Sequence, residues 1–260
     1  MARPFSEYSK SYECVEFKRE DGILEMRLHT KGAEFIWGLK PHQELPEVFR
    51  EVGADRENRI VILTGTGSVF TGPQANPATR ALSTSLPPKG WYAIMRETKQ
   101  MQMNQLDIDV PMIAAINGPA YRHMEWALLC DITIASEDAV FEDAAHVPQG
   151  VLPPGDGMNI IVSELIGLNR ARYLHLMGQQ LSAKEAQAFG MINEIVQKDQ
   201  VLSRAWAVAR SLAKKPDILL RHSRLLMIQR FKKRVQEDLS EHLLFEGMAQ
   251  MDGDGFSSGA

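Results

Sequence analysis

Three residues with acid–base potential lie in turns near the middle of the chain. His123 follows an Asn-Gly-Pro turn, His146 follows two alanines, and Asp156 stands between two glycines. A histidine whose ring is oriented by a carboxylate keeps one tautomer and can take a proton from water. We therefore consider His146 as a general base oriented by Asp156, and His123 as an N–H donor that polarises a carbonyl. The residues alone are also compatible with structural roles, in which Asp156 is a helix cap before Met158 and both histidines are core residues.

Three more residues have an ambiguous pattern. Trp37 offers an indole N–H to a carbonyl, or it packs in the core. Glu125 is an acid–base group or a buried partner of Arg122. Glu246 follows Leu243 by three positions, at the edge of the apolar stripe of a predicted helix, so its carboxylate lies either at a rim or in a cleft.

Motifs that would indicate a cofactor or a metal are absent from the sequence. We find no phosphate loop, dinucleotide fingerprint, paired cysteines, HExxH or GxSxG. His123 and His146 have no third ligand at a spacing that suggests zinc, so a metal is a minor alternative. We predict neither a cofactor nor a metal.

Composition excludes several classes of partner. The 260 residues have a formal net charge of −4, which is not the basic footprint of a nucleic-acid binder. No apolar run approaches the roughly 20 residues that span a bilayer, and the first residues contain no signal-peptide core. The two cysteines are far apart in the sequence and resemble buried thiols of a reducing compartment. We expect a cytoplasmic protein with no nucleic acid or membrane partner.

Apolar strands alternate with helical segments over the first two thirds of the chain. Alternation predicts a hairpin over 14–28, continuous apolar runs predict buried strands over 60–63, 111–116 and 131–135, and helical spacing predicts helices over 42–52, 90–106 and 229–250. The segment 71–89 is rich in Gly, Pro, Ser and Thr and predicts a surface loop. This order is typical of an α/β fold with a largely parallel sheet.

Over residues 12–255 the sequence resembles the crotonase (enoyl-CoA hydratase/isomerase) superfamily. The motifs that resemble the family are Arg59-Ile-Val-Ile-Leu-Thr-Gly-Thr-Gly67, Pro111-Met-Ile-Ala-Ala-Ile-Asn-Gly-Pro119, Cys130-Asp-Ile-Thr-Ile-Ala135 and Met177-Gly-Gln-Gln-Leu-Ser-Ala-Lys-Glu-Ala186. The resemblance implies a spiral of ββα repeats over 1–198, followed by a C-terminal helical module over 199–260. It also implies that this module packs in a homotrimer or a dimer of trimers.

The sequence departs from the superfamily where its CoA-using members bind the thioester oxygen. The first donor turn here contains Pro73, which has no N–H to give. The second donor normally lies in a run of glycines, and that run here reads Tyr121-Arg122-His123-Met124. Bulky side chains block the close approach that glycine permits. These substitutions argue against thioester chemistry.

The same substitutions resemble those of the β-diketone hydrolases of this superfamily, the 6-oxocamphor hydrolase type. The resemblance implies that a small-molecule cyclic or bicyclic β-diketone is cleaved at a carbon–carbon bond by a retro-Claisen reaction, giving a keto acid. The residues at matching positions are His146 and Asp156 for the water, His123 and Trp37 for the carbonyls, and Glu246 for proton traffic or positioning. The alternatives are a CoA-thioester hydratase or isomerase that uses Glu125, and a non-catalytic binding protein.

Overall fold

The structure is a computed structural model that describes residues 3–75 and 86–252. Its strands are β1 Val15–Glu20, β2 Ile23–Leu28, β3 Ile60–Gly65, β4 Met112–Ile116, β5 Ile132–Ser136, β6 Val140–Phe141, β7 Leu181–Ser182 and β8 Glu194–Val196. Its α-helices are α1 Phe5–Tyr8, α2 Leu39–Ala54, α3 Pro88–Asp107, α4 Glu125–Leu128, α5 Met158–Ile166, α6 Leu168–Met177, α7 Ala183–Ala188, α8 Val201–Leu212 and α9 Asp217–Asp252. Residues 76–85 of the predicted surface loop lie outside the described residues.

The N-terminal hairpin is confirmed. Strands β1 and β2 pair antiparallel across a two-residue turn in which Asp21 has a φ of 52° and Gly22 a φ of 78°. Positive φ at both central residues is the turn that matches the twist of a hairpin, and Asp-Gly is a preferred pair for it. The sequence signal therefore fixes the register of the first two strands.

The predicted parallel sheet is confirmed as well. The strand order is β1-β2-β3-β4-β5-β8, and every pair after the first hairpin is parallel. All residues of β3 and β4 are buried, because the sheet is covered on both faces. This explains why those strands are continuous apolar runs in the sequence rather than alternating ones.

Two helix boundaries differ from the sequence-based prediction. Gly53 lies inside α2 instead of ending it, and the chain leaves the helix at Asp55, which has an extended backbone. Helix α9 begins at Asp217, twelve residues before the predicted start at 229. The added turns are fixed by buried arginines: Arg221 pairs with Asp217, and Arg224 pairs with Asp131. An apolar stripe could not reveal turns whose inward side chains are charged.

The loops that follow β4 and β6, the loop before α5, and helices α3 and α9 surround one cleft. The first two of these loops begin at strand ends, where irregular backbone is commonly used for binding. No helix within 3–75 and 86–252 has both the length and the apolar character needed to cross a membrane. The predicted division into 1–198 and 199–260 stays a prediction.

Candidate active site

Five predicted site residues line a single cleft of about 670 Å³, part of which is open to solvent. They are Trp37, His123, His146, Asp156 and Glu246. The remaining walls are largely apolar side chains from the start of α2, from α3 and the residues just before it, and from the loop before α5. These are Leu39, Leu86, Trp91, Ile94 and Leu152. The cleft therefore combines an apolar wall with a concentrated group of titratable side chains.

His123 occupies a backbone conformation that glycine ordinarily takes. Its φ is +53°, in the left-handed region, which costs a non-glycine residue on the order of 1–3 kcal/mol. The neighbouring Arg122 helps to hold this turn, because its guanidinium donates to the carbonyl oxygens of Pro73 at 2.7 Å and Gln74 at 3.1 Å. The turn after Phe70 is thus bound by a buried arginine, and the left-handed position presents an imidazole to the cleft.

The His123 ring is enclosed by aromatic side chains. It stacks on Trp126 with an interplanar angle of 7° and a centroid distance of 4.9 Å, and the Trp37 ring lies 4.0 Å away on centroids. Its Nδ1 lies 2.7 Å from Glu125 Oε1. Burial lowers the pKa of His123 to about 3, so the imidazole is neutral at physiological pH.

The carboxylate that orients His146 is Asp143, and the predicted pairing with Asp156 is corrected in this respect. His146 Nδ1 lies 2.5 Å from Asp143 Oδ1, whereas Asp156 Oδ2 lies 3.6 Å from Nε2, on the other side of the ring. The second oxygen of Asp143 accepts from His175 Nδ1 on α6, at 3.1 Å. A row of three buried groups, His175, Asp143 and His146, therefore leads to the cleft.

Asp156 uses its two carboxylate oxygens in different ways. Its Oδ1 accepts the backbone N–H of Met158 at 3.2 Å, at the start of α5. Its Oδ2 lies 3.4 Å from His123 Nδ1 and 3.6 Å from His146 Nε2. The cap residue of α5 is Gly157, so the capping alternative is wrong as stated. One oxygen of Asp156 binds the first residue of the helix, and the other faces the two imidazoles.

Glu246 projects from α9 into the cleft and does not lie at a rim. It is 3% exposed, and its Oε1 accepts the N–H of Gly155 at 2.8 Å and lies 3.3 Å from His146 Nε2. Gly155 is required for this approach, since a Cβ there would lie 2.5 Å from the His242 carbonyl oxygen and 2.8 Å from Glu246 Cγ. Two backbone segments far apart in the sequence are thus held in contact at the site.

The pKa of His146 and those of the buried acidic groups around it influence one another. Burial lowers the pKa of His146, but Asp143 and then Asp156 oppose this, and the net pKa lies well above its usual value. Burial raises the pKa of Asp143, yet His146 and His175 outweigh it and the net pKa is lowered. Burial raises the pKa of Glu246 to about 7 and also raises that of Asp156. Asp156 Oδ2 and Glu246 Oε1 lie 3.6 and 3.3 Å from His146 Nε2, so the protonation state of each of these three groups depends on the other two.

The fold also brings together two groups of side chains that could hold a cation. His123, Glu125 and Asp156 form one, and His146, Asp156 and Glu246 form the other, each with ligand atoms within 4.8 Å of one another. Sequence spacing gave no sign of either group, because their members come from segments up to 100 residues apart. Both groups coincide with the acid–base cluster.

Sequence reasoning missed Asp143, His175 and the role of Arg122. The spacing of Asp143 and His146, three residues apart in a loop between two elements, was a usable signal for an orienting carboxylate. No local signal pointed to His175, which belongs to a helix and meets Asp143 only through tertiary packing. Arg122 was weighed only as a partner of Glu125, whereas its guanidinium turns to backbone carbonyls.

A sequence model of the family described as Enoyl-CoA hydratase/isomerase matches residues 18–252. The chain is 30% identical over 219 residues to the "Probable enoyl-CoA hydratase EchA12" of Mycobacterium tuberculosis, covering 80% of this chain and 73% of that protein. It is 31% identical over 172 residues to the "Probable enoyl-CoA hydratase 1, peroxisomal" of Arabidopsis thaliana. That match covers 66% of this chain and 62% of that protein.

A solved structure resembles the whole chain. It is ABDH, a β-diketone hydrolase from the cyanobacterium Anabaena sp. PCC 7120 bound to (S)-3-oxocyclohexyl acetic acid. The TM-score is 0.90 at 37% identity, over 97% of this chain and 99% of that one. The architecture is the crotonase fold that the sequence predicted, a mostly parallel sheet with a C-terminal helix. The chain belongs to the enoyl-CoA hydratase/isomerase family.

Proposed function

We propose that this protein hydrolyses a carbon–carbon bond of a cyclic or bicyclic β-diketone and releases a keto acid. One geometric observation is the main support. A single carboxylate oxygen, Asp156 Oδ2, lies within 3.6 Å of both the His123 and the His146 rings. A carbonyl-binding imidazole and a water-activating imidazole would therefore act in the same cleft.

The reaction requires a base, an oxyanion donor and a proton for carbon. Water loses a proton to the unit of His146, Asp156 and Glu246, and its oxygen bonds to one carbonyl carbon. The alkoxide is stabilised by an N–H of His123, and its collapse breaks the bond to the carbon between the two carbonyls. The electron pair leaves as an enolate of the second carbonyl, and the proton held by the base unit is returned to carbon. Water is consumed, and no cofactor is used.

The apolar wall suits the carbon skeleton of such a substrate. Trp91, Ile94 and Leu152 line the same cleft as the titratable group, and Trp37 extends the aromatic surface from His123. A ring of the diketone would pack there while its two oxygens face the imidazoles. The indole N–H of Trp37 as a second carbonyl donor stays a prediction.

A CoA-thioester hydratase or isomerase is the second candidate, favoured by the names of the sequence relatives. Two observations support the diketone instead. The Arg122 guanidinium is bound to the turn after Phe70, where CoA-using members bind the thioester oxygen. The similarity to the diketone hydrolase extends over 97% of the chain at 37% identity.

The test is to supply bicyclic and monocyclic β-diketones of several ring sizes in H₂¹⁸O. We expect acid release and a keto acid with one ¹⁸O in its new carboxylate. Crotonyl-CoA serves as the competing substrate in the same assay. Its efficient hydration without diketone turnover would overturn the proposal. No turnover of any substrate above background, in the wild type and in His146→Ala alike, would instead indicate a non-catalytic protein.

A further inference from the structure

The contact between His123 and Glu125 contains one hydrogen whose position decides what His123 offers to a ligand. The 2.7 Å separation of Nδ1 and Oε1 is a hydrogen-bond distance, so either the ring or the carboxyl group holds that hydrogen. With the hydrogen on Nδ1, a neutral ring has a bare Nε2, which can only accept. With the hydrogen on Oε1, Nε2 bears the ring hydrogen and can donate. Only the second arrangement lets a neutral His123 bind a carbonyl oxygen.

The environment of Glu125 disfavours a negative charge. Its side chain is completely buried at the start of α4. Its second oxygen, Oε2, is buried and accepts no hydrogen bond from any residue within 3–75 and 86–252. A charged oxygen in that position would be desolvated without compensation, whereas the carbonyl oxygen of a neutral acid loses far less. The orphaned oxygen therefore indicates the protonated form.

The environment of His123 disfavours the alternative of an ion pair. The ring is enclosed by Trp126 and Trp37, which solvate an imidazolium poorly compared with water. Burial raises the pKa of Glu125 to about 8 and lowers the pKa of His123 to about 3, and both shifts favour the neutral form of the residue. The titratable and charged groups that face this pair are Asp143, His146, Asp156, His42 and Arg122. Among them Asp156 approaches Nδ1 at 3.4 Å, much farther than the Glu125 oxygen.

We propose that Glu125 is a neutral carboxylic acid that donates its hydrogen to His123 Nδ1 and thereby fixes the tautomer whose Nε2–H binds a carbonyl oxygen. Glu125 is a positioning residue: it acts through His123 and does not transfer its proton to the substrate. A buried carboxylic acid that stays protonated at neutral pH can serve as a hydrogen-bond donor. The use of that N–H in diketone cleavage rests on the proposed function, while the position of the hydrogen does not.

The variants Glu125→Gln and Glu125→Leu separate this role from that of a carboxylate base. A glutamine amide also donates to Nδ1, so we expect kcat on a bicyclic β-diketone within about 3-fold of the wild type. Leucine has a similar volume but no donor, and the ring is then free to take the wrong tautomer. We expect kcat to fall by about 10²–10³, as for loss of one oxyanion donor. Equal loss in both variants would show that the charge of Glu125 is used, and full activity in both would remove any positioning role.

Spectroscopy of the unliganded protein tests the hydrogen itself without reference to activity. In protein labelled with ¹⁵N-histidine, the resonances of His123, assigned with His123→Ala, should show a hydrogen on Nε2 and none on Nδ1 at pH 7. The infrared difference spectrum of wild type minus Glu125→Gln should contain a carboxylic-acid C=O band. A ring hydrogen on Nδ1, or a carboxylate band instead, would overturn the inference. If the protein fails to cleave diketones but gives the expected spectra, the function is wrong and the tautomer stands.

Discussion

At the scale of single residues, the site is defined by which nitrogen of each histidine faces a carboxyl group. His123 and His146 both have Nδ1 against a side-chain oxygen, at 2.7 and 2.5 Å. Their partners differ in character, since the pKa of Glu125 is raised by burial while that of Asp143 is lowered by two histidines despite its burial. The His123 imidazole is therefore neutral, whereas the His146 imidazole binds a proton more readily and can exchange it with the carboxyl groups around it. Two similar pairs are thereby suited to two steps of one reaction.

Asp143→Asn tests whether catalysis requires a His146 ring that is held in one orientation and tautomer by a carboxylate. The amide lacks the charge that stabilises the imidazolium, and its N–H₂ group can select the wrong tautomer. We expect kcat to fall by about 10²–10⁴ with a small change in KM. Asp138→Asn is the control, because this exposed carboxylate pairs with Lys198 on the surface after β5. Wild-type kcat in Asp143→Asn would contradict the orienting role.

Glu246→Gln should shift the pH dependence of catalysis. Glu246 is one of the groups that raise the pKa of His146, so its neutral isostere lowers that pKa, while the amide oxygen can still accept from Gly155. If deprotonated His146 takes the proton from water, the acidic limb of the profile of kcat/KM against pH should move to lower pH.

Two other outcomes of that titration are informative. Loss of activity at all pH values would assign the base to Glu246 itself, whose pKa of about 7 is suited to the task. An unmoved limb would contradict the shared titration of His146 and Glu246.

At the scale of elements, the sequence predicted the scaffold better than the site. Strands β3, β4 and β5 were evident because burial on both faces leaves continuous apolar runs such as Ile60–Leu63. The start of α9 could not be located from the sequence, because its inward positions include Arg221 and Arg224, whose partners lie on other segments. For the same reason the sequence did not reveal the contacts that orient His146. His175 and Asp143 are far apart in the chain and meet only through the packing of α6 against the loop after β6. The periodicity of apolar residues in the sequence indicates which positions are buried, but it does not indicate which buried charged residues pair with one another.

Gly155→Ala should damage the site through an element contact. The added Cβ meets the carbonyl of His242 on α9, which is backbone and cannot rotate away. The loop must then move away from α9, which breaks the hydrogen bond that Gly155 N–H donates to Glu246. We expect a loss of about 10-fold or more in kcat and a lower melting temperature.

Gly53→Ala is the matched control for that variant. Gly53 lies in α2, and a Cβ there would lie 3.3 Å from Ile108 Cγ1 and 3.5 Å from its Cα, contacts that a shift of a few tenths of an ångström relieves. Alanine also has the higher helix propensity, so we expect little change in kcat or melting temperature. Equal effects of the two substitutions would contradict the claim that the contact between the loop and α9 positions Glu246.

At the scale of the whole molecule, the cleft joins the two parts of the chain that the resemblance distinguishes. Glu246 on α9 completes a site whose other titratable members lie before residue 160. Helix α9 also packs against α3 and α5 and contributes Val235, Leu239 and Leu243 to the main core. The last helix is therefore part of both the catalytic proposal and the hydrophobic core, and the site depends on how that helix is held.

The N-terminal half of α9 presents an apolar stripe to solvent. Ile218, Leu219, Leu225 and Leu226 repeat at a spacing of seven, and their exposed fractions lie between 41% and 76%. Soluble monomers rarely leave a contiguous apolar patch of this kind uncovered. The resemblance implies a homotrimer or a dimer of trimers, and we expect a second copy of the chain to cover the stripe.

Leu226→Glu should therefore shift the protein to a smaller species, measured by size-exclusion chromatography with light scattering. Gln200→Glu, an exposed position before α8 and outside the last helix, adds the same charge away from the stripe and should leave the mass unchanged. Residue 226 lies twenty positions before Glu246, about 30 Å along the helix, so a local charge there does not reach the cleft. Because a single chain brings Trp37, His123, His146, Asp156 and Glu246 into one cleft, we expect kcat of the smaller species to stay within about 3-fold of the wild type. An unchanged mass would contradict the interface, and a dissociated but inactive species would show that a neighbouring copy supports the site.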